Sequence, residues 1–385
     1  MSKILSFLEK ATSAYSYQSS RYCFENNQTT IKNNDDKQDI VISDDKMGET
    51  DSGLKTTKSL SDKVKRHHGE ESLFKYFLDG SRRTYRVDDL AYDKKLYPVI
   101  AGQIGVGCCV RESLDSFKSC SFERQLVFSL PLPSCSDSEN ENSFGHKLTT
   151  KLNQLDFLQR NNIYFDKIFI YRTKLKQGEC YEHKGIAKIQ DEMIECEKRL
   201  VDKLVRENRL NNTTYLLKDG SLQYVDTKRA DSKDLARIRH NYQRIVGVSK
   251  SFNPELFTDK KGKSIAREIA NLPYMNRTPA YKYSVDRIPD VEFSIWYVRI
   301  REAKYTASPF DGVIKVEKVL ITEAEREEGL SSDEIDLISI NLINERNPTC
   351  YGVDNRWANH LYPVFLTESF IKSQFLSDSY FLNLF

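Results

Sequence analysis

The sequence predicts an α/β fold in which helices flank a mixed sheet, and three observations favour it. Strand candidates follow one another between residues 73 and 130, helices then alternate with strands from about residue 189, and the chain ends in a phenylalanine-rich helical segment. Such an order is typical of sheets that contain antiparallel and parallel strands. The 385 residues, 39% apolar and 11% aromatic, are enough to bury a substantial core.

Eight segments carry the strand signal, because each is an apolar run of β-branched and aromatic residues bounded by polar or glycine residues. The predicted strands are 73–78, 97–110, 125–130, 163–171, 213–218, 244–250, 291–300 and 312–321. The second contains three glycines, which indicates a strongly twisted or bulged strand. The predicted helices are 189–208, about 231–243, and the segment from residue 362 onward.

The first 72 residues differ from the rest in composition. A short amphipathic helix is predicted at 3–15, but residues 25–71 are dominated by Asn, Asp, Lys, Ser and Thr. Such polar segments bury little apolar surface, so we expect a mobile or loosely packed extension. The predicted division is therefore an N-terminal extension, 1–72, and a single domain, 73–385.

Composition narrows the functional classes. Charged residues make up 30% of the chain, yet the net charge is only +2, so any nucleic-acid surface must be a local patch. The eight cysteines include no CxxC pair, which argues against a structural zinc site and for reduced thiols. No apolar stretch approaches membrane length, and we expect a soluble, cytoplasmic protein with no membrane association.

The strongest chemical signal is an apolar strand followed by Asp-Gly-Ser, which occurs at Asp79 and again at Asp219. A single such motif is usually a turn, because Asp and Gly are preferred turn residues. Two of them on neighbouring strands would bring two carboxylates together at the sheet rim. Carboxylates in that position repel each other unless a cation lies between them, which predicts a site for a divalent metal that prefers oxygen ligands.

The helix before the second motif supplies a third carboxylate. Glu197 falls in the middle of its apolar face, where an unpaired charge is costly. The alternative is a Glu that bends out to solvent; with Asp79 and Asp219 available, we interpret Glu197 as a metal ligand. Lys250, at the end of another predicted strand, is a candidate for binding the scissile phosphate.

Basic residues directly after the first motif are candidates for gripping a nucleic-acid backbone. Arg82, Arg83 and Arg86 follow Asp79 closely and would lie near the predicted carboxylate cluster. Ordinary surface charge is the competing interpretation for all three.

In this order, the motifs resemble the NurA family of DNA nucleases. The resemblance covers roughly residues 73–385 and consists of short ordered matches. They are Leu78-Asp79-Gly80-Ser81, Glu197, Leu217-Lys218-Asp219-Gly220-Ser221-Leu222, Ile245-Val246-Gly247-Val248-Ser249-Lys250, Trp296-Tyr297-Val298-Arg299, Ile314-Lys315-Val316-Glu317 and Tyr362-Pro363.

The resemblance implies a ribonuclease H-like fold, a homodimer, and manganese- or magnesium-dependent cleavage of DNA. It also implies a partner, a hexameric ATPase of the HerA type that feeds DNA to the nuclease. Carried over by residue, Asp79, Glu197 and Asp219 would be metal ligands and catalytic residues, with Lys250 close by. DNA-end processing in repair is the family's usual role, and phage defence is a second possible setting.

The sequence departs from the family at the last helix, where members often carry His or Asp shortly after the Tyr-Pro pair. Glu368 stands in that stretch and could serve as the further metal ligand; His360, just before the proline, is the alternative. A site without this ligand would bind metal weakly or be inactive. The competing functions are therefore a NurA-like scaffold that clamps DNA for the ATPase, and an unrelated nucleic-acid-binding protein.

Overall fold

The computed structural model describes most of the chain. The described residues are 3–17, 19–25, 41–51, 53–54, 56–135, 140–211, 213–222, 232–254, 264–285, 288–345, 347–348 and 355–385. The helices are α1 (Lys3–Thr12), α2 (Ser61–Arg66), α3 (Glu141–Leu152), α4 (Asp156–Arg160), α5 (Tyr181–Arg206), α6 (Ser232–Tyr242), α7 (Ala266–Ala270), α8 (Glu323–Glu328), α9 (Ser332–Asn344), α10 (Tyr362–Ser373) and α11 (Asp378–Leu382).

The strands belong to one large sheet. They are β1 (Tyr15–Ser16), β2 (Tyr22–Cys23), β3 (Val41–Met47), β4 (Lys58–Ser59), β5 (Phe74–Tyr92), β6 (Lys95–Ser113), β7 (Ser116–Pro131), β8 (Lys167–Tyr171), β9 (Tyr215–Asp219), β10 (Ile245–Ser249), β11 (Asn276–Arg277), β12 (Tyr281–Val285), β13 (Ile288–Arg299) and β14 (Val313–Val319).

The order across the sheet is β3-β12-β13-β14-β10-β9-β5-β6-β7-β8; of the four short strands, β1 and β2 pair with β5, β11 pairs with β13, and β4 pairs with β11. β5, β6 and β7 form an antiparallel meander, while β9 pairs in parallel with β5 and with β10. Since the antiparallel β14 then continues the sheet beyond β10, the predicted α/β class with a mixed sheet is confirmed. Within the described residues, no helix is long and apolar enough to cross a membrane.

Alternation along the central strands gives the sheet two differently covered faces. Leu78 of β5 belongs to the same core cluster as Met193 of α5. Its neighbour Phe77 belongs to another cluster, which includes Ile338 of α9 and Val364 of α10. We call these the α5 face and the α10 face.

The predicted N-terminal helix is packed against the sheet, and so are parts of the segment 25–71 that was expected to be loosely packed; residues 26–40 of that segment lie outside the described residues. Leu5 and Leu8 of α1 are fully buried in the same cluster as Phe128. Farther along, the buried carboxylate of Glu49 accepts two hydrogen bonds from Arg277, at 2.9 and 2.8 Å. A polar composition therefore did not prevent packing here, because the charged groups are paired within the fold.

The first predicted strand is much longer than expected, since β5 does not stop at Asp79 but continues to Tyr92. The expectation that both aspartates end their strands was wrong for Asp79 and holds for Asp219, which is the last residue of β9. The two glycines differ in conformation accordingly. Gly220 adopts a φ of +85°, whereas Gly80 stays extended within the strand.

Candidate metal centre

Asp79 and Asp219 lie side by side on the α10 face. Leu78 of β5 is in register with Lys218 of β9, so the next residues along the two parallel strands are the aspartates. By alternation they share the face of Phe77, which α10 covers. The expectation from the sequence that Asp79 and Asp219 lie together agrees with this register.

Glu368 of α10 completes the group. One oxygen each from Asp79, Asp219 and Glu368 can be chosen so that all three lie within 4.8 Å of one another. His360, the alternative from the sequence, lies beside the group, with Nε2 4.0 Å from Oε2 of Glu368. Among the described residues, Glu368 is therefore the one that α10 adds to the aspartates.

Lys250, the residue directly after β10, contacts two of the three carboxylates. Val248 of β10 is in register with Asp219, and Lys250, two residues later, returns to the same face. Its Nζ atom lies 2.8 Å from Oδ2 of Asp219 and 3.2 Å from Oε2 of Glu368. The sequence-based placement of Lys250 near the cluster therefore agrees with its position in the structure.

The three carboxylates are electrostatically unequal. Burial, followed by repulsion from Asp219 and Glu368, raises the pKa of Asp79 well above its usual range. Burial also acts to raise the pKa of Glu368, but the ammonium groups of Lys250 and Lys372 outweigh it and hold that pKa well below its usual range. Without a cation, Asp79 is therefore the group that carries the proton.

Glu197, the third ligand predicted from the sequence, lies on the other side of the sheet. It is buried on the α5 face, with Oε2 3.1 Å from Nζ of Lys218. Its carboxylate lies over Gly80, where a Cβ atom would overlap Oε1. Because Gly80 has no side chain, this carboxylate can lie close to the strand. The structure does not bring Glu197 into the group of Asp79, although its charge contributes to the raised pKa of Asp79.

Glu317 of β14, which the sequence analysis named only as part of a motif and without a role, supports the site from β14. Its Oε2 accepts hydrogen bonds from Leu222 N at 2.7 Å and Ser221 Oγ at 2.8 Å, which fastens the turn that follows Asp219. Glu317 and its partner Lys315, 2.7 Å away, are both fully buried. Burial opposes ionisation, but Lys315 and the turn donors lower the pKa of Glu317. The alternation of Lys315 and Glu317 along a buried strand was the available signal.

The three arginines predicted to contact nucleic acid are engaged within the chain. Arg82 lies 2.7 Å from Glu25, Arg83 lies 2.9 Å from Asp378, and Arg86 binds Asp89 through two hydrogen bonds of 2.7 and 2.8 Å. Since guanidinium groups held by carboxylates are largely neutralised, these residues are organised as structural ion pairs. The three arginines lie on both faces of β5, beyond the carboxylate cluster.

The donor set has the chemistry of a divalent cation site. Oxygen ligands on opposite sides of one Mg²⁺ are about 4 Å apart, so small side-chain rotations would bring the three carboxylates to one ion. Burial is the largest cause of the raised pKa of Asp79, and the next cause, repulsion from Asp219 and Glu368, is one that a bound cation would remove. The residues present therefore fit Mg²⁺ or Mn²⁺.

In comparisons with known proteins, no protein-family model matches the chain, and no curated protein matches it at the level of significance required.

Proposed function

We propose that this protein is a metal-dependent deoxyribonuclease related to the NurA nucleases. The observation that carries the proposal is the cluster of Asp79, Asp219 and Glu368, whose ligand oxygens lie within 4.8 Å of one another. It joins two strand motifs and a helix that are far apart in the sequence. Acidic groups on a protein surface are common, but this cluster is recessed under α10 and contains a carboxyl group with a strongly raised pKa.

We further propose that the five central strands form a ribonuclease H-like core. The support is their spatial order, β7-β6-β5-β9-β10, in which the meander β5-β6-β7 is extended by two strands parallel to its first member. In this arrangement Asp79 and Asp219 occupy adjacent central strands. The remaining strands, β14, β13 and β12, extend the sheet on the far side of β10.

In the proposed reaction, Asp79, Asp219 and Glu368 hold Mg²⁺ or Mn²⁺. A divalent ion in such a site supplies Lewis acidity and lowers the pKa of a water molecule. Lys250 neutralises two of the carboxylates in the absence of a cation. With a cation bound by the carboxylates, the ammonium group of Lys250 would be available to bind the scissile phosphate of DNA. Glu317 keeps Asp219 in place by fastening the turn that follows it.

The biological setting follows from the resemblance alone. We propose that the nuclease works as a homodimer with a HerA-type hexameric ATPase that feeds it DNA, in end processing or in defence against phage. The prediction specific to this pairing is that the ATPase stimulates cutting of long linear DNA only when it can hydrolyse ATP.

A second candidate function is a scaffold that clamps DNA for the ATPase without cutting it. The observation that favours it is the position of Glu197, which Lys218 holds on the α5 face, away from the other carboxylates. A cluster of three carboxylates offers fewer ligands than one of four. The nuclease remains the first choice because Glu368 supplies a carboxylate on α10, where a missing ligand would have favoured the scaffold.

The test is cleavage of end-labelled linear DNA with Mn²⁺ by the full chain, with and without the ATPase. The variant is Asp219→Asn, and the matched control is Asp156→Asn, an exposed aspartate in α4. Cutting that requires the metal, survives in the control and falls at least 100-fold in Asp219→Asn would support the nuclease, since removing one group of a catalytic set typically costs this much. Absence of cutting by the unmodified chain, with an active ATPase present, would favour the scaffold.

A further inference from the structure

A cavity of about 310 Å³ lies on the α10 face, beside β7 and outside the carboxylate cluster. Its lining includes Arg124, Asn161, Asn162, Tyr164, Asp166 and Tyr380. The volume lies at the lower end of the range for small-molecule sites, about 300–1,000 Å³. We propose that this cavity is a nucleotide-binding subsite that holds a base of the DNA strand being processed. The inference rests on the proposed function.

The lining matches the chemistry of a nucleotide. Tyr164 and Tyr380 are 55% and 43% exposed, so both rings are accessible for stacking on a base. Asn161, Asn162 and Asp166 offer amide and carboxylate groups of the kind that pair with base edges. An aromatic, hydrogen-bonding and cationic set in one cavity fits a nucleotide better than an apolar ligand.

Arg124 supplies the cation. Unlike Arg82, Arg83 and Arg86, it is exposed, and the hydrogen bond it donates within the described chain goes to the main-chain oxygen of Gln374, at 3.1 Å. Asp166, in the same lining, interacts with Arg124 through space, but among the described residues no carboxylate forms a direct ion pair with it, in contrast to the arginines singled out from the sequence. The guanidinium group of Arg124 therefore keeps donors available for a phosphate.

Both walls of the cavity are fixed to the sheet. On one side, Leu126 N donates to Oδ2 of Asp166 at 2.8 Å, and Asp166 N donates to Leu126 O at 2.7 Å. On the other side, the amide of the buried Gln103 bonds both the N–H and the carbonyl of Leu376, at 2.8 and 3.0 Å. A site whose walls are already ordered loses less entropy when a ligand binds.

The ion pair of Arg83 also contributes to this wall. Arg83 holds Asp378, the first residue of α11, and Tyr380 follows two residues later in the same helix. Tyr85 donates a further hydrogen bond to Asp378 at 2.8 Å. Arg83 therefore acts on the subsite by positioning the helix that carries Tyr380.

The cavity is placed to receive the strand that enters the metal centre. Asp79 is in register with Gly107 of β6, and Arg124 of β7 is in register with Gly105, on the same face. Arg124 therefore lies two strands away from Asp79 and two residues farther along the strand direction, which corresponds to about 12 Å between their Cα atoms. At about 3.4 Å per nucleotide of stacked strand, this distance corresponds to three or four nucleotides.

The experiment measures binding without cutting. Fluorescence anisotropy of a labelled oligo(dT) is recorded with the full chain in EDTA at fixed salt, and dTMP is used as a competitor. The variants are Tyr164→Ala, Tyr380→Ala and Arg124→Gln; the control is Tyr15→Ala, a 60% exposed tyrosine near α1. Thermal melting checks that each variant folds, which we expect because all the changed side chains are exposed.

We expect each cavity tyrosine variant to weaken oligonucleotide binding by roughly 5- to 100-fold, the range for loss of one stacked base. The control should change affinity by less than about twofold, and Arg124→Gln should reduce the salt dependence by about one phosphate contact. Competition by dTMP at similar affinity would identify a free nucleotide as the ligand source; failure of dTMP to compete would identify the strand.

Two results would overturn the subsite: oligonucleotide binding that both tyrosine variants leave intact, or no binding of either probe by the unmodified chain. Failure of the proposed nuclease is a separate outcome. It would appear as oligonucleotide binding that depends on Tyr164 and Tyr380 in a chain that never cuts DNA with Mn²⁺, and the subsite would stand in that case.

Discussion

The ammonium group of Lys250 lies 2.8 Å from Oδ2 of Asp219. The same group lies 3.2 Å from Glu368, so a single lysine bridges two of the three carboxylates that form the candidate metal centre. In a recessed site, such a cation occupies the position for which a divalent ion competes. In the proposed enzyme, Lys250 therefore opposes metal binding but supports catalysis.

Replacing Lys250 by methionine should separate its effect on metal binding from its effect on DNA cleavage. We expect Lys250→Met to bind Mn²⁺ at least as tightly as the unmodified chain, because the ammonium group that bridges Asp219 and Glu368 no longer competes, while Lys372 pairs with the other oxygen of Glu368 in both chains. Cutting should fall by about 100-fold or more, because no ammonium group remains to bind the phosphate. Calorimetric titration with Mn²⁺ and the DNA cleavage assay measure the two effects. Parallel loss of metal affinity and cutting would instead make Lys250 a structural part of the site.

Asp79 is predicted to destabilise the metal-free protein at neutral pH. Because its folded pKa is raised, the protonated form favours the fold; that stability is fully present below the ordinary pKa of 3.8 and is lost as pH rises through the raised value. Each unit of difference costs about 1.4 kcal/mol. Asp79→Asn keeps the neutral form at every pH, so in EDTA at pH 7.5 it should melt at a higher temperature than the unmodified chain, with little difference at pH 4. A lower melting temperature at both pH values would contradict this account.

As pH rises, the affinity for Mn²⁺ should increase, whereas the stability of the metal-free protein should decrease. A cation requires the ionised form of Asp79, so each Mn²⁺ displaces about one proton below the raised pKa. We expect affinity for Mn²⁺ to rise about tenfold per pH unit in that range, while Glu368, with its lowered pKa, stays charged throughout. Titrations from pH 5 to 8 measure this slope, and Asp79→Asn serves as the flat control. A pH-independent affinity in the unmodified chain would remove Asp79 from the ligand set.

Gly80 should resist substitution because of Glu197. A Cβ atom at position 80 would overlap Oε1 of Glu197, and such overpacking typically lowers the free energy of unfolding by about 1–3 kcal/mol. We expect Gly80→Ala to lower the free energy of unfolding by that amount, and by clearly less in a Glu197→Ala background. Urea unfolding of the two single variants and the double variant gives the coupling energy. Equal cost in both backgrounds would show that the contact does not explain the glycine.

Glu317 should support metal binding without touching the metal. The double variant Lys315→Met/Glu317→Met replaces a buried ion pair by side chains of similar volume, which is often neutral for stability. It also releases the turn after Asp219, and loss of such an outer contact typically weakens metal affinity about 10- to 100-fold. The control is Arg111→Met/Glu345→Met, a buried pair elsewhere. Unchanged Mn²⁺ affinity in a folded Lys315/Glu317 variant would mean that the turn needs no such anchor.

Several elements could be predicted from the sequence because local information determines them. The apolar runs around residues 215 and 245 became β9 and β10 as expected, and the periodic apolar face near Met193 became part of α5. The bounds were less predictable. The segment after Asp79 carries an Asp-Gly-Ser turn signal, yet β5 continues through it because β6 pairs with it along its whole length.

The sequence by itself determined which residue types were available, the strands that carry Asp79 and Asp219, and therefore the pairing of two carboxylates. Only the tertiary structure decided which carboxylate is the third member of the candidate metal centre. Glu197 and Glu368 both lie on amphipathic helices, but α5 and α10 cover opposite faces of the sheet, and the alternation of side chains along β5 and β9 aims both aspartates at α10. Which helix covers which face depends on packing across the whole sheet, so no local pattern could reveal it.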